Sequence, residues 1–224
     1  MSNTCSPQPA RSLDHFARSG AVYHNATVRH HKAPEVERET PVSEIASRGQ
    51  LRLSFLRWAA VTVPLILLLG FLSGRLVPAG NENAWYAALE KPALTPPGWM
   101  FPVAWSLLYV LIGVAVAMIL NARGARGRGL AVALFTVQFA GALAWMPLFF
   151  GAHRVGAAAL LIAAMVVVGS IATVLFARIR PAAAWLMVPY LVWISFAGVL
   201  TWSIGRLNPD AETLAPGART SQML

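Results

Sequence analysis

Acidic residues are scarce in this chain, and where they are missing says more than how few there are. Nine Asp and Glu occur in 224 residues, and the stretch from Lys91 to Pro209 holds none. Soluble domains carry about 25% charged residues; here charged residues make up 12%, hydrophobic residues 57%, and the mean hydropathy is +0.57. Catalysis by paired carboxylates is excluded from the acid-free stretch. Cysteine is nearly absent too: Cys5 stands alone, so no intrachain disulfide can form. The net charge of +9 raises the question of nucleic acid, but the basic residues are scattered at the edges of apolar runs rather than grouped on one face. Nucleic-acid binding is not expected.

What is present is long apolar runs. A hydrocarbon core of about 30 Å needs about 20 apolar residues in a helix, and five segments meet that requirement, at about 55–76, 102–121, 130–150, 155–177 and 182–205. Pro64 should kink the first, and Pro102 suits the opening turn of the second. Open strands cannot satisfy their edges in lipid, so the expected fold is an all-α membrane protein, a five-transmembrane-helix bundle over 51–208. Three of the four links are short, which predicts that consecutive helices are antiparallel neighbours. Residues 1–50 are polar and aperiodic, with no apolar h-region of a signal peptide, and read as a disordered tail; 209–224 reads the same way. His24, His30 and His31 lack the Cys or acidic partners of a metal site, so no metal is expected. Arg and Lys near the helix ends favour a cytoplasmic N-terminus in a bacterial plasma (inner) membrane, with a bacterial or mitochondrial outer membrane as the alternative.

The spans contain no Asp, Glu, Lys or His; Arg57 and Arg75 mark the ends of the first. Ion-coupled pumps place such groups at membrane depth, and hydrolysis needs a nucleophile with a base or a metal. Neither can be assembled here. Ser106, Tyr109, Thr136, Gln138, Ser170, Thr173, Tyr190, Ser195, Thr201 and Ser203 remain as the polar groups of the spans. Such an interior suits a largely apolar ligand.

Tryptophan is abundant, with eight residues. An interfacial aromatic belt accounts for Trp58, Trp99, Trp185 and Trp85. Trp145 and Trp193 lie deeper, where an indole either packs in the core or lines a pocket. The connection WYAALEKPALTPPGWMFP is stiffened by Pro92, Pro96 and Pro97 and made apolar by Trp85, Tyr86 and Trp99. Long loops in compact domains usually have a job, and this one reads as a lid at the bundle mouth or as a segment lying in the headgroups.

The run W-Y-x-x-L-x-K-P-x-x-x-P-P-x-W-x-F-x-x-x-W-x-x-L-Y from Trp85 to Tyr109 resembles the TspO/translocator-protein family of tryptophan-rich sensory proteins. So do Gln138 with Trp145, Pro147 and Phe149-Phe150-Gly151, and Ala184-Trp185-Leu186 with Pro189-Tyr190, Trp193, Phe196-Ala197 and Leu207-Asn208. The resemblance implies a five-helix receptor or sensor that binds tetrapyrroles, haem and protoporphyrin IX, in a cavity under the first loop. Trp105 and Trp193 then match the pocket tryptophans tied to porphyrin binding and to light-dependent porphyrin breakdown, which makes them the only catalytic candidates. Tyr86 and Pro97 fall in the lid region, Trp145 and Ala197 on the cavity wall, and Trp85, Tyr109, Gln138 and Tyr190 complete the expected ligand-binding set. No cofactor is required by this reading; porphyrin or haem is the ligand. A homodimer is expected from the family, and Ala140/Ala144 and Gly113/Ala117 are small-residue pairs that permit close helix approach.

Two departures from the family pattern stand out. Ala142 and Thr201 occupy positions where asparagine is usual. Leu200, Trp202 and Arg206 put Trp where a sterol-recognition pattern has Tyr, so sterol binding is not expected. Facilitated passage of porphyrins and their photodegradation are the alternative functions.

Overall fold

The structure, a computed structural model, describes residues 48–214. The expected tails, including His24, His30 and His31, lie outside the described residues, apart from their inner ends. Helix α1 spans Arg48–Arg75, α2 Ala84–Ala88, α3 Met100–Asn121, α4 Arg128–Met146, α5 Val155–Ile179 and α6 Pro181–Leu207. All but α2 are long and apolar enough to cross a membrane. The fold is the five-span helical bundle expected, with α1 beginning earlier than residue 55.

Local sequence explains the helix boundaries. Pro181 opens α6 at a position whose N–H would be unpaired in any case. Gly127, left-handed at φ 79°, turns the chain into α4. Within the helices the hydroxyls bond back one turn: Ser106 to the Pro102 carbonyl at 2.7 Å, Thr136 to Val132 at 2.9 Å, Ser170 to Val166 at 2.7 Å and Thr173 to Gly169 at 2.8 Å. In hydrocarbon an unpaired hydroxyl is costly, so these side chains are consumed by their own helices.

The spans form a ring in the order α1, α3, α6, α5, α4. Of the three pairs joined by short links, α4 with α5 and α5 with α6 pack as expected. Helices α3 and α4 touch only slightly, although only residues 122–127 join them, because α1 takes the small-residue face of α3. A Cβ on Gly113 would come within 2.8 Å of Val63 Cα, and one on Gly70 would enter the Tyr109 ring. The same approach lets Thr62 Oγ1 donate to the Gly113 carbonyl at 2.9 Å. Gly113 and Ala117 are thereby buried inside one chain and unavailable to a second copy, whereas Ala140 and Ala144 face outward. Leucines such as Leu68 and Leu160 are more than half exposed, which fits a surface meeting lipid.

Candidate functional site

Two aromatic clusters occupy the bundle. The central one is built from α3, α4 and α6. Trp105 lies 5.2 Å from Tyr109 and 6.2 Å from Tyr190, ring to ring, and Phe139 meets Tyr109 edge-on at 6.4 Å. Trp193, one turn beyond Tyr190, contacts Phe101 and Phe196 at 5.9 Å each. Tyr190 and Tyr109 are buried, while Trp105 and Trp193 stay half-buried. The spacing i, i+4 sets Trp105 above Tyr109 on one face of α3.

Polar groups are few here, and two are unpaired. Gln138 of α4 is 2% exposed, and its Nε2 donates to the Tyr190 hydroxyl. Its Oε1 has no partner among the described residues, and neither does the indole Nε1 of Trp145. Gln138 and Trp145 are seven residues apart, so they share a face of α4 about 10 Å apart along its axis. Buried polar atoms in native structures are nearly always paired. A donor and an acceptor on one inward face are therefore what a ligand with polar edges would meet.

The second cluster closes the end of the bundle where α1 finishes. Past Met146 the chain makes a π turn over Pro147–Gly151, with the Ala152 N–H bonded to the Pro147 carbonyl at 2.8 Å. This wide turn carries Phe149 and Phe150 into the lid loop, where Tyr86 meets Phe150 at 5.3 Å and Trp145 stacks on Phe149 at 4.9 Å. Asn83 pins the two together: it accepts from the Tyr86 N–H at 3.1 Å, which caps α2, and donates to the Phe150 carbonyl at 3.0 Å.

Trp85 is held on every side. It is 2% exposed, stacks on His153 at 4.4 Å, meets Phe149 edge-on, and donates its indole N–H to the Ala211 carbonyl at 2.7 Å. Its indole fastens the first connection to the chain after α6. Residues 209–214, expected to be disordered, are thus an ordered strap. Asn208 exchanges two hydrogen bonds with the Glu90 backbone, 2.8 and 2.9 Å, and Glu212 accepts from the Gly156 N–H and pairs with Arg154. Their polar sequence hid this, because the strap is held by single polar contacts and by the buried methyl of Ala211 rather than by an apolar run.

The ten residues expected at the site therefore divide. Trp105, Tyr109, Gln138, Tyr190 and Trp193 come together at mid-bundle. Trp85, Tyr86 and Trp145 belong to the mouth, with Trp145 linking the two groups. Pro97 is exposed, and Ala197 is half-buried one turn beyond Trp193. Where the family asparagines are replaced, Ala142 packs on the central cluster and Thr201 spends its hydroxyl on the Ala197 carbonyl at 2.8 Å. Gln138 is left as the interior amide. Sequence reasoning passed over Asn83, His153 and Ala211. Asn83 had a readable signal, a capping residue just before α2; His153, at φ 56°, had none.

Comparison with known proteins bears on this arrangement. The TspO/MBR family matches residues 60–207. Protein CrtK of Rhodobacter capsulatus is 40% identical over 136 residues, covering 60% of this chain and 84% of that protein. Tryptophan-rich protein TspO of Chlorobaculum tepidum is 34% identical over 152 residues, 67% of this chain and 95% of that one. The human Translocator protein is 35% identical over 144 residues, 62% and 84% of the two chains.

Proposed function

The chain belongs to the TspO/MBR family, and from that premise we propose that it is a membrane receptor for a flat, conjugated, mostly apolar ligand of the tetrapyrrole class. The observation that carries the reading is the pair of unpaired polar atoms, Gln138 Oε1 and Trp145 Nε1, on one face of an otherwise aromatic interior. Indole and phenol rings supply stacking surface, and the amide and indole N–H meet polar groups at the ligand edge. Because Trp105, Tyr109 and Tyr190 lie against one another, the ligand replaces these contacts by parting them. Entry runs under the lid held by Trp85 and the strap.

Protoporphyrin IX added to the purified protein should quench tryptophan fluorescence saturably, with one equivalent per chain. Linear, unsaturable quenching would show mere partitioning into detergent and end the proposal. The spans carry no carboxylate, lysine or histidine, which leaves ungated facilitated passage as the second reading. Porphyrin flux into protein-containing liposomes, above that of empty ones, would favour it over reception.

The helix ends support an orientation. Arg48, Arg52, Arg57, Arg123, Arg126, Arg128, Arg178 and Arg180 lie at the end where α1 starts, against Arg75, Lys91, Arg154 and Arg206 at the other. By the positive-inside rule the end with the excess of bases is cytoplasmic, and the lid then opens away from the cytoplasm. Cysteine labelling of the 122–127 link from outside intact cells should fail; efficient labelling would invert the topology. The outward Ala140/Ala144 pair fits a homodimer through α4, and A140L/A144L should lower cross-linking yield if so; an unchanged yield would move the contact elsewhere.

A further inference from the structure

The arginine end of the bundle carries a recess separate from the aromatic interior. It has a volume of about 640 Å³ and lies where the start of α1, the α3–α4 link and the α5–α6 junction meet. Arg123 and Arg180 line it from two different links, with Ser54 and Asn121 between them. Among the described residues no arginine at this end pairs with a carboxylate; the ion pair described, Arg154 with Glu212, is at the opposite end. Beside Gln50 and Ser54 on α1, Leu53 is 56% exposed.

We propose that this recess is a binding site for the phosphate headgroup of an anionic phospholipid, held between the Arg123 and Arg180 guanidinium groups. Guanidinium forks match phosphate oxygens two at a time, and the Ser54 hydroxyl and Asn121 amide add neutral hydrogen-bond donors. The acyl chains run down past Leu53. Basic recesses between membrane helices suit such headgroups, and nearby bases attract an anionic leaflet. Positive-inside topology alone needs arginines at this end but does not need two of them to converge from separate links on one recess. The chain also holds Glu35, Glu37, Glu39 and Glu44 ahead of α1, and these carboxylates are the rival occupant.

The test uses the full-length protein in neutral detergent, titrated with phosphatidylglycerol or phosphatidylcholine and read by native mass spectrometry. Phosphatidylglycerol should bind at least about tenfold more tightly than phosphatidylcholine, and R123A/R180A should lose about tenfold of that affinity. R126A/R178A, which removes the same charge from the same end outside the recess, should change it by less than about twofold. R123K/R180K keeps the charge without the fork and should fall between the two. Equal losses in both alanine pairs would reduce the effect to diffuse charge and overturn the site. Displacement by equimolar inorganic phosphate would make it a soluble-anion site. A roughly tenfold gain on E35Q/E37Q/E39Q/E44Q would hand the recess to the chain's own carboxylates. Either result overturns the lipid assignment.

Discussion

Replacing Gln138 by Leu should destabilise the bundle, and replacing Tyr190 by Phe in the same chain should restore most of what was lost. Gln138 is 2% exposed and Tyr190 fully buried, and the two bond to each other across α4 and α6. Q138L alone strands a tyrosine hydroxyl in an apolar interior, and Y190F alone strands the amide. A buried polar group left unpaired costs about 1–3 kcal/mol. The double variant removes donor and acceptor together at nearly constant volume, so its cost is less than the sum. Hydrogen bonds between membrane helices couple by about 0.6 kcal/mol on average and up to about 1.7. Because the pair lies in a fully enclosed cluster, a coupling of about 1 kcal/mol is expected, in the upper part of that range. Unfolding in mixed micelles by graded addition of a denaturing detergent gives the four stabilities required. Additivity within about 0.3 kcal/mol would refute the reasoning, because it would mean that the two groups satisfy each other no better than their surroundings do.

Three further outcomes follow from the geometry. W85F keeps the stacking ring but leaves the Ala211 carbonyl unpaired, a loss of about 1–3 kcal/mol to the closed lid. Amide exchange over residues 84–90 should quicken at least fivefold, by about 1 kcal/mol or more, and unchanged exchange would mean that the strap does not hold the lid. N208A removes both bonds to the Glu90 backbone and should quicken the same amides without altering those of α4; a global change would point to unfolding instead. G70A drives a methyl into the Tyr109 ring and should cost about 1–3 kcal/mol, whereas G74A, whose added carbon meets nothing within 4 Å, should be neutral in the same unfolding assay. Equal effects would show that the α1–α3 approach is looser than described.

The architecture was legible because lipid imposes a simple rule. Every backbone group in a span must be satisfied within the span, so runs of apolar residues such as 155–177 translate almost directly into helices. The ring order was not legible, since it depends on which faces interlock. Gly113 could be read as permitting a close approach but not against which helix, and Gly70 looks unremarkable in the sequence; the two matter because Val63 and Tyr109 press on them. Within the site, the depth of Trp193 could be read from its position in the span, whereas Trp105 and Tyr190 were marked only by the family resemblance. The role of Trp85 could not be read. An aromatic residue in a proline-rich loop suggests a ligand surface, and only the Ala211 carbonyl, 126 positions away, shows it to be a fastening. The hydroxyls of the spans illustrate the same limit: the sequence counts them as the interior's polar groups, but Ser106, Thr136, Ser170, Thr173 and Thr201 point back to the preceding turn. The two unpaired atoms on α4 emerged only from three-dimensional pairing.

The most direct test of the central claim is a porphyrin titration followed at the ligand's own absorption band, with two double variants side by side. W105F/W193F alters the interior aromatic cluster, and W185F/W202F alters tryptophans that are 73% and 61% exposed on the lipid side. The account predicts that protoporphyrin IX binds the first variant at least about tenfold more weakly, a loss of about 1.4 kcal/mol, and the second with wild-type affinity. Equal affinity for both variants and the unaltered protein would contradict a ligand seated among the rings of α3, α4 and α6.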